Sequence, residues 1–136
     1  MDIGRFNSNS EDCCDPTPHE ALKGIRDYRP LVYVCSPFSG DTQANTEKAR
    51  RCSRFAVDRG AIPITPHLFF PQFLSEDTER ELAMFTDMVL LTKCEQLWVF
   101  GNAVSEGMRR EIEKAKKKHM TIRYFTEDLK EEAECR

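Results

Sequence analysis

Two rhythms of apolar positions run along the chain. Short, unbroken apolar stretches alternate with longer stretches in which apolar residues recur every three or four positions. Leu31-Val32-Tyr33-Val34-Cys35 is the first unbroken run, rich in β-formers. A strand buried on both faces has this appearance. Ala61-Ile62-Pro63-Ile64-Thr65 is a second short strand, and its proline points to an edge or irregular position. Gln96-Leu97-Trp98-Val99-Phe100 and Thr121-Ile122-Arg123-Tyr124-Phe125 complete the set.

The intervening stretches have helical spacing. Asp41 or Thr42 caps a first helix reaching about Arg59, with Asn45, Ala49, Cys52 and Ala56 on one face and Gly60 as its stop. A second helix is expected from about Asp77 to Lys93, and a third from Ser105 to His119. Pro66 to Leu74 reads as an aromatic loop with a helical turn. Residues 1–29 are polar and proline-punctuated, as a tail would be. Residues 126–136 read as a charged helix or frayed tail.

Strands alternating with helices imply βαβ units. The expected fold is α/β: a Rossmann-like three-layer domain over residues 30–125 with a mostly parallel sheet of four to five strands. Ligands of such sheets bind outside the carboxyl ends of the strands. Three loops lie there: Ser36 to Asp41, Thr65 to Phe70, and Gly101 to Met108.

Composition narrows the function classes. With 136 residues and 40% apolar content the chain suits a single core. A net charge of −3 argues against a nucleic acid polymer or an anionic membrane as partner. No stretch is apolar enough for a membrane span, and the first residues lack a secretory signal, so the expected location is cytoplasmic. Cys35, Cys52 and Cys94 fall inside apolar patterns and read as small core residues. Cys13, Cys14 and His19 have no second ligand pair at a zinc spacing, so no metal is expected.

Two carboxylates break the apolar stripes. Met108, Glu111, Ile112 and Ala115 share one face of the third helix, with basic residues opposite. Met84, Asp87, Met88 and Leu91 share a face of the second. A buried, unpaired carboxylate costs several kcal/mol, roughly, or takes up a proton. Such a group is kept because it is paired, here with Arg50 or Arg80, or because it is used. Ser105 opens the third helix, where free backbone N–H groups attract anions, although capping alone also explains it. His67 either lines the pocket or makes a structural hydrogen bond. Trp98, Phe69, Phe70 and Phe73 read as core or subunit interface.

These segments resemble the nucleoside 2-deoxyribosyltransferase-like superfamily, which includes 2'-deoxynucleoside 5'-phosphate N-hydrolases; the chain looks closest to an uncharacterised branch. The resemblance covers about residues 30–125. It rests on Tyr33 to Gly40 with Asn45, on Pro63 to His67, on Asp87 ahead of the Glu95–Phe100 strand, and on Ser105 to Ile112 with Ala115. It implies Glu111 as the nucleophile at the anomeric carbon and Asp87 as the group that holds and protonates the departing base. It also implies Ser105 at the 5' end of the sugar and Tyr33 near the sugar. The first loop adds Ser36, Phe38, Ser39 and Gly40 to the substrate-binding set. Asn45, His67, Gly101, Gly107 and Met108 complete it. Ser39 stands where hydrolase relatives carry a phosphate-gripping arginine, and no match is found for residues a neighbouring subunit supplies.

The expected function is therefore N-glycosidic cleavage or transfer on a nucleoside or nucleotide, without a cofactor, in a homo-oligomer. The competing expectations are a non-catalytic nucleotide-sensing module and a structural oligomer joined through the Phe69–Phe73 loop.

Overall fold

The computed structural model describes residues 28–38 and 40–132. Cys13, Cys14, His19 and the expected N-terminal tail, apart from its last two residues, lie outside them. The elements are β1 (Leu31–Cys35), α1 (Thr42–Asp58), β2 (Ile62–Ile64), two 3-10 turns (Pro66–Leu68 and Phe70–Gln72), α2 (Arg80–Thr92), β3 (Gln96–Phe100), α3 (Glu106–Lys117), β4 (Thr121–Phe125) and β5 (Glu131–Glu132). The sheet has five strands in the order β2-β1-β3-β4-β5. All neighbours run parallel except β4 and β5. Pro63 sits on the edge strand β2, where its missing N–H breaks no central ladder.

Strand alternation divides the core. Tyr33, Cys35, Leu97, Val99 and Tyr124 face Leu91 of α2 and Met108, Ile112 and Ala115 of α3. Val32, Val34, Trp98, Phe100 and Phe125 face Cys52 and Ala56 of α1. The sheet is thus the middle of three layers, which explains why its strands are apolar without interruption. Phe55 of α1 meets the rings of Trp98, Phe100 and Phe125 edge-on. Each large side chain buried here contributes roughly 1.5–3 kcal/mol. The three cysteines of the described core are buried and free.

Two expectations change. Residues 126–132 form neither helix nor frayed tail: a turn with Leu129 at φ +64° returns the chain antiparallel to β4. Arg123 fixes that return by donating to both carboxyl oxygens of Glu131 at 2.7 and 2.8 Å, and Leu129 packs against the aromatic core. Helix α2 also begins at Arg80 rather than near Asp77. Ser75 Oγ accepts from the N–H groups of Asp77 and Thr78, which holds that segment in a turn.

Candidate active site

The chain leaves β1 toward β2 on one side and then crosses back to β3 on the other. The loops after β1 and β3 therefore diverge, and a crevice opens at this topological switch point. A cavity of about 220 Å³ occupies it. Ser36 and Phe38 line it from the loop after β1, and His67 and Phe70 from the 3-10 turns. Met84, Asp87 and Met88 face it from α2, and Ser105, Gly107, Met108 and Glu111 from α3. The two acids on separate apolar stripes thus reach one cavity.

Glu111 is 5% exposed. The Tyr33 hydroxyl donates to its Oε2 at 2.6 Å. Burial pushes the Glu111 carboxyl up to about 7, partly offset by hydrogen bonds from Tyr33 and Cys35 that favour the anion. Tyr33 itself is held well above the usual phenol range by burial and by the carboxylates nearby. Asp87 is half-buried, and burial, then the charges of Glu111 and Glu76, push it up to about 7. Its Oδ1 is buried and has no hydrogen-bond partner among the described residues. Neither arginine that might have paired it does so: Arg80 lines the same cavity but binds Glu76 at 3.1 Å, and Arg50 is exposed on α1, across the sheet. Two carboxyls at one partly buried crevice resist being ionised together, so one proton is readily kept between them.

Ser105 caps α3, its Oγ accepting from the Met108 N–H at 3.3 Å. Glu106 stands in the first turn, and its carboxylate is held by Arg109 and Arg110. His67 Nε2 lies 3.0 Å from the Ser36 carbonyl oxygen. A carbonyl only accepts, so Nε2 carries the proton and donates. Burial holds His67 below the usual imidazole range, partly offset by that hydrogen bond. Its ring stacks on Phe38, with centroids 4.8 Å apart.

Tyr33, Asn45, Gly40 and Gly101, expected at the substrate, are not on the wall of this cavity. Tyr33 stands behind Glu111 rather than on the cavity wall. Asn45 Nδ2 donates to the Phe38 carbonyl at 3.0 Å and so shapes the loop. Gly40, at φ +96°, belongs to an adjoining depression. Gly101 is not on the wall: it turns at φ +106° beside Lys48 and Glu127. Ser39 lies outside the described residues. Phe70, Leu74, Glu76, Arg80, Met84 and Arg110 also line the cavity, beyond the residues expected there from the sequence. Met84 was open to discovery, because it precedes Asp87 by three positions on one helix face. The loop residues carry no such periodic signal.

Among the described residues, no group of three or more His, Cys, Asp or Glu side chains could hold a metal ion. No helix among them is long and apolar enough to cross a membrane.

The architecture is similar to that of the 2-deoxyribosyltransferase of the psychrotolerant bacterium Bacillus psychrosaccharolyticus. The TM-score is 0.57 at 15% identity, covering 71% of this chain and 72% of that one. At that identity the likeness is one of fold. No curated protein matches the chain in sequence. Over residues 30–125 it matches the family described as Domain of unknown function (DUF7768), and to that family it belongs.

Proposed function

We propose that this chain cleaves or transfers the N-glycosidic bond of a nucleoside or nucleotide, with Glu111 as nucleophile and Asp87 as general acid. The observation that carries the reading is the meeting of these two acids at the switch-point cavity, Glu111 buried and braced by Tyr33, Asp87 half-buried with an unpaired oxygen. The fold likeness to a 2-deoxyribosyltransferase supports it.

The chemistry follows from the pair. Ionised Glu111 attacks the anomeric carbon as the bond to the base breaks. The electron pair of that bond goes to the base nitrogen, which Asp87 protonates. The sugar is held as an ester of Glu111, and ionised Asp87 then assists water or a second base in displacing it. Carboxyls near pH 7 suit this exchange of roles. Tyr33 favours the Glu111 anion through its hydrogen bond. Ser105 and the start of α3 would receive the 5' end of the sugar.

Free base released from a panel of nucleosides and nucleotides tests the reading. The wild type should release base, and Glu111→Gln should lose at least about 10³-fold in kcat. Asp87→Asn should lose about 10²–10⁴-fold, most for poor leaving groups. Binding without base release by the wild type would instead indicate a sensing module.

We also propose that copies associate through the outer side of α2, where Leu82, Phe85 and Val89 stay exposed.

A further inference from the structure

Among the described residues, two side-chain polar atoms are buried without a hydrogen-bond partner: Ser36 Oγ and Asp87 Oδ1. Both residues line the same cavity. Asp87 has a role in the chemistry proposed above; Ser36 has none. Ser36 is 1% exposed, so bulk water does not satisfy its hydroxyl. A hydroxyl kept in such a place is stabilised when a ligand supplies its partner.

The neighbours of Ser36 indicate what that ligand presents. Its carbonyl accepts from His67, and the His67 ring lies against Phe38 at an interplanar angle of 21°. One wall of the cavity therefore combines Ser36, its hydroxyl just beneath the surface, with a flat, braced pair of rings. Its complement is a planar group with an apolar face and a polar edge. An anion fits this wall poorly, since Arg80 and Arg110 at the cavity are engaged by Glu76 and Glu106.

We propose that Ser36 is a specificity-determining residue that hydrogen-bonds the edge of a planar nitrogen heterocycle lying against Phe38, and that His67 is the positioning residue that aims it. The assignment of this heterocycle as the leaving base rests on the N-glycoside reading above. His67 acts through its bond to the Ser36 carbonyl and its stack on Phe38, and these together fix the loop backbone from which the hydroxyl projects.

The test measures binding by titration calorimetry in the full chain carrying Glu111→Gln, so that no turnover intervenes. The ligands are purine and pyrimidine nucleosides, with deaza analogues in which single ring nitrogens are replaced by CH. With Ser36 present, one analogue should bind about 10-fold more weakly than its parent. Adding Ser36→Ala should weaken the parent by about the same factor and abolish the difference between the two. Ser36→Thr, which keeps the hydroxyl, should retain it. His67→Phe, which keeps a ring and loses the donor, should reduce it. Ser36→Ala should also unfold at a temperature no lower than its parent chain without ligand, because an unpaired buried hydroxyl is removed; a structural hydroxyl would give the opposite sign. Equal binding of the whole panel with and without the Ser36 hydroxyl overturns the proposal alone. Failure of every nucleoside to bind either chain overturns it together with the N-glycoside reading.

Discussion

Glu111 joins stability to chemistry through a single proton. Its folded-state pKa, raised to about 7, exceeds the ordinary value of 4.5, so folding favours the neutral acid. The stability this acid contributes is full below about pH 4.5 and is lost as the pH rises through about 7. Glu111→Gln keeps an acceptor for the Tyr33 hydroxyl and cannot ionise. It should therefore be more stable than wild type by roughly 3 kcal/mol at about pH 9, with the gain vanishing near pH 4. Urea unfolding of both proteins at the two pH values measures this, and a gain independent of pH would contradict it. Tyr33→Phe removes a bond that favours the anion. It should shift the acidic limb of the kcat/KM profile upward by about one pH unit and lower activity below neutrality. An unmoved limb would show that Tyr33 does not tune Glu111. The inward turn of Glu111 is legible in the sequence because its i−3 and i+4 neighbours, Met108 and Ala115, fix the helix face. Ser36 is a loop candidate by position alone, since nothing in a strand end foretells that its hydroxyl will be buried and unpaired.

At the scale of elements, the loop between β3 and α3 determines where the cap and Glu111 sit. Gly101 turns it with φ +106°, while Lys48 Nζ pairs with Glu127 at 2.8 Å beside that turn. A Cβ at Gly101 would stand 3.1 Å from Lys48 Nζ and 3.2 Å from Glu127 Oε2. Both are ends of flexible side chains and can shift, so the backbone conformation sets the cost. Gly101→Ala should destabilise by about 1–2 kcal/mol. Gly107 has the opposite situation: it lies within α3 and an added Cβ meets nothing. Gly107→Ala should stabilise by about 0.5–1 kcal/mol. Thermal unfolding of the two variants separates these signs. The strands and helices themselves are legible, because continuous apolar runs and i, i+3, i+4 stripes report burial on two faces and on one. The hairpin after β4 is not. Its acidic residues read as a solvated tail, and the turn at Leu129, its packing on the core and the bond of Arg123 to Glu131 together make a strand of them.

For the molecule as a whole, the three-layer plan is readable because element order limits how an α/β chain can be wound, and the cavity follows from the strand order. What that plan leaves open is the outer side of α2. A helix in a three-layer fold normally turns its outer face to water with polar residues. Here the inner face carries Leu91 to the core and Met84 and Asp87 to the cavity, while Leu82, Phe85 and Val89 stand outside at 48%, 65% and 39% exposure. Their spacing of three and four residues aligns them in one stripe. An aligned apolar stripe on a chain of net charge only −3 favours association, since repulsion between copies is weak. The wild type should sediment as a dimer or larger species at about 50 μM, and Phe85→Lys should shift it toward monomer. Since Phe85 is mostly outside the core, the variant should retain its far-UV spectrum. Helix α2 carries Asp87 on its other face, so association would also steady the general acid. Base release by the wild type should then fall on dilution below the dimer dissociation constant, and base release by Phe85→Lys should be low at every concentration. A wild type that is monomeric throughout, with activity independent of concentration, would leave the stripe a bare surface and the site complete within one copy.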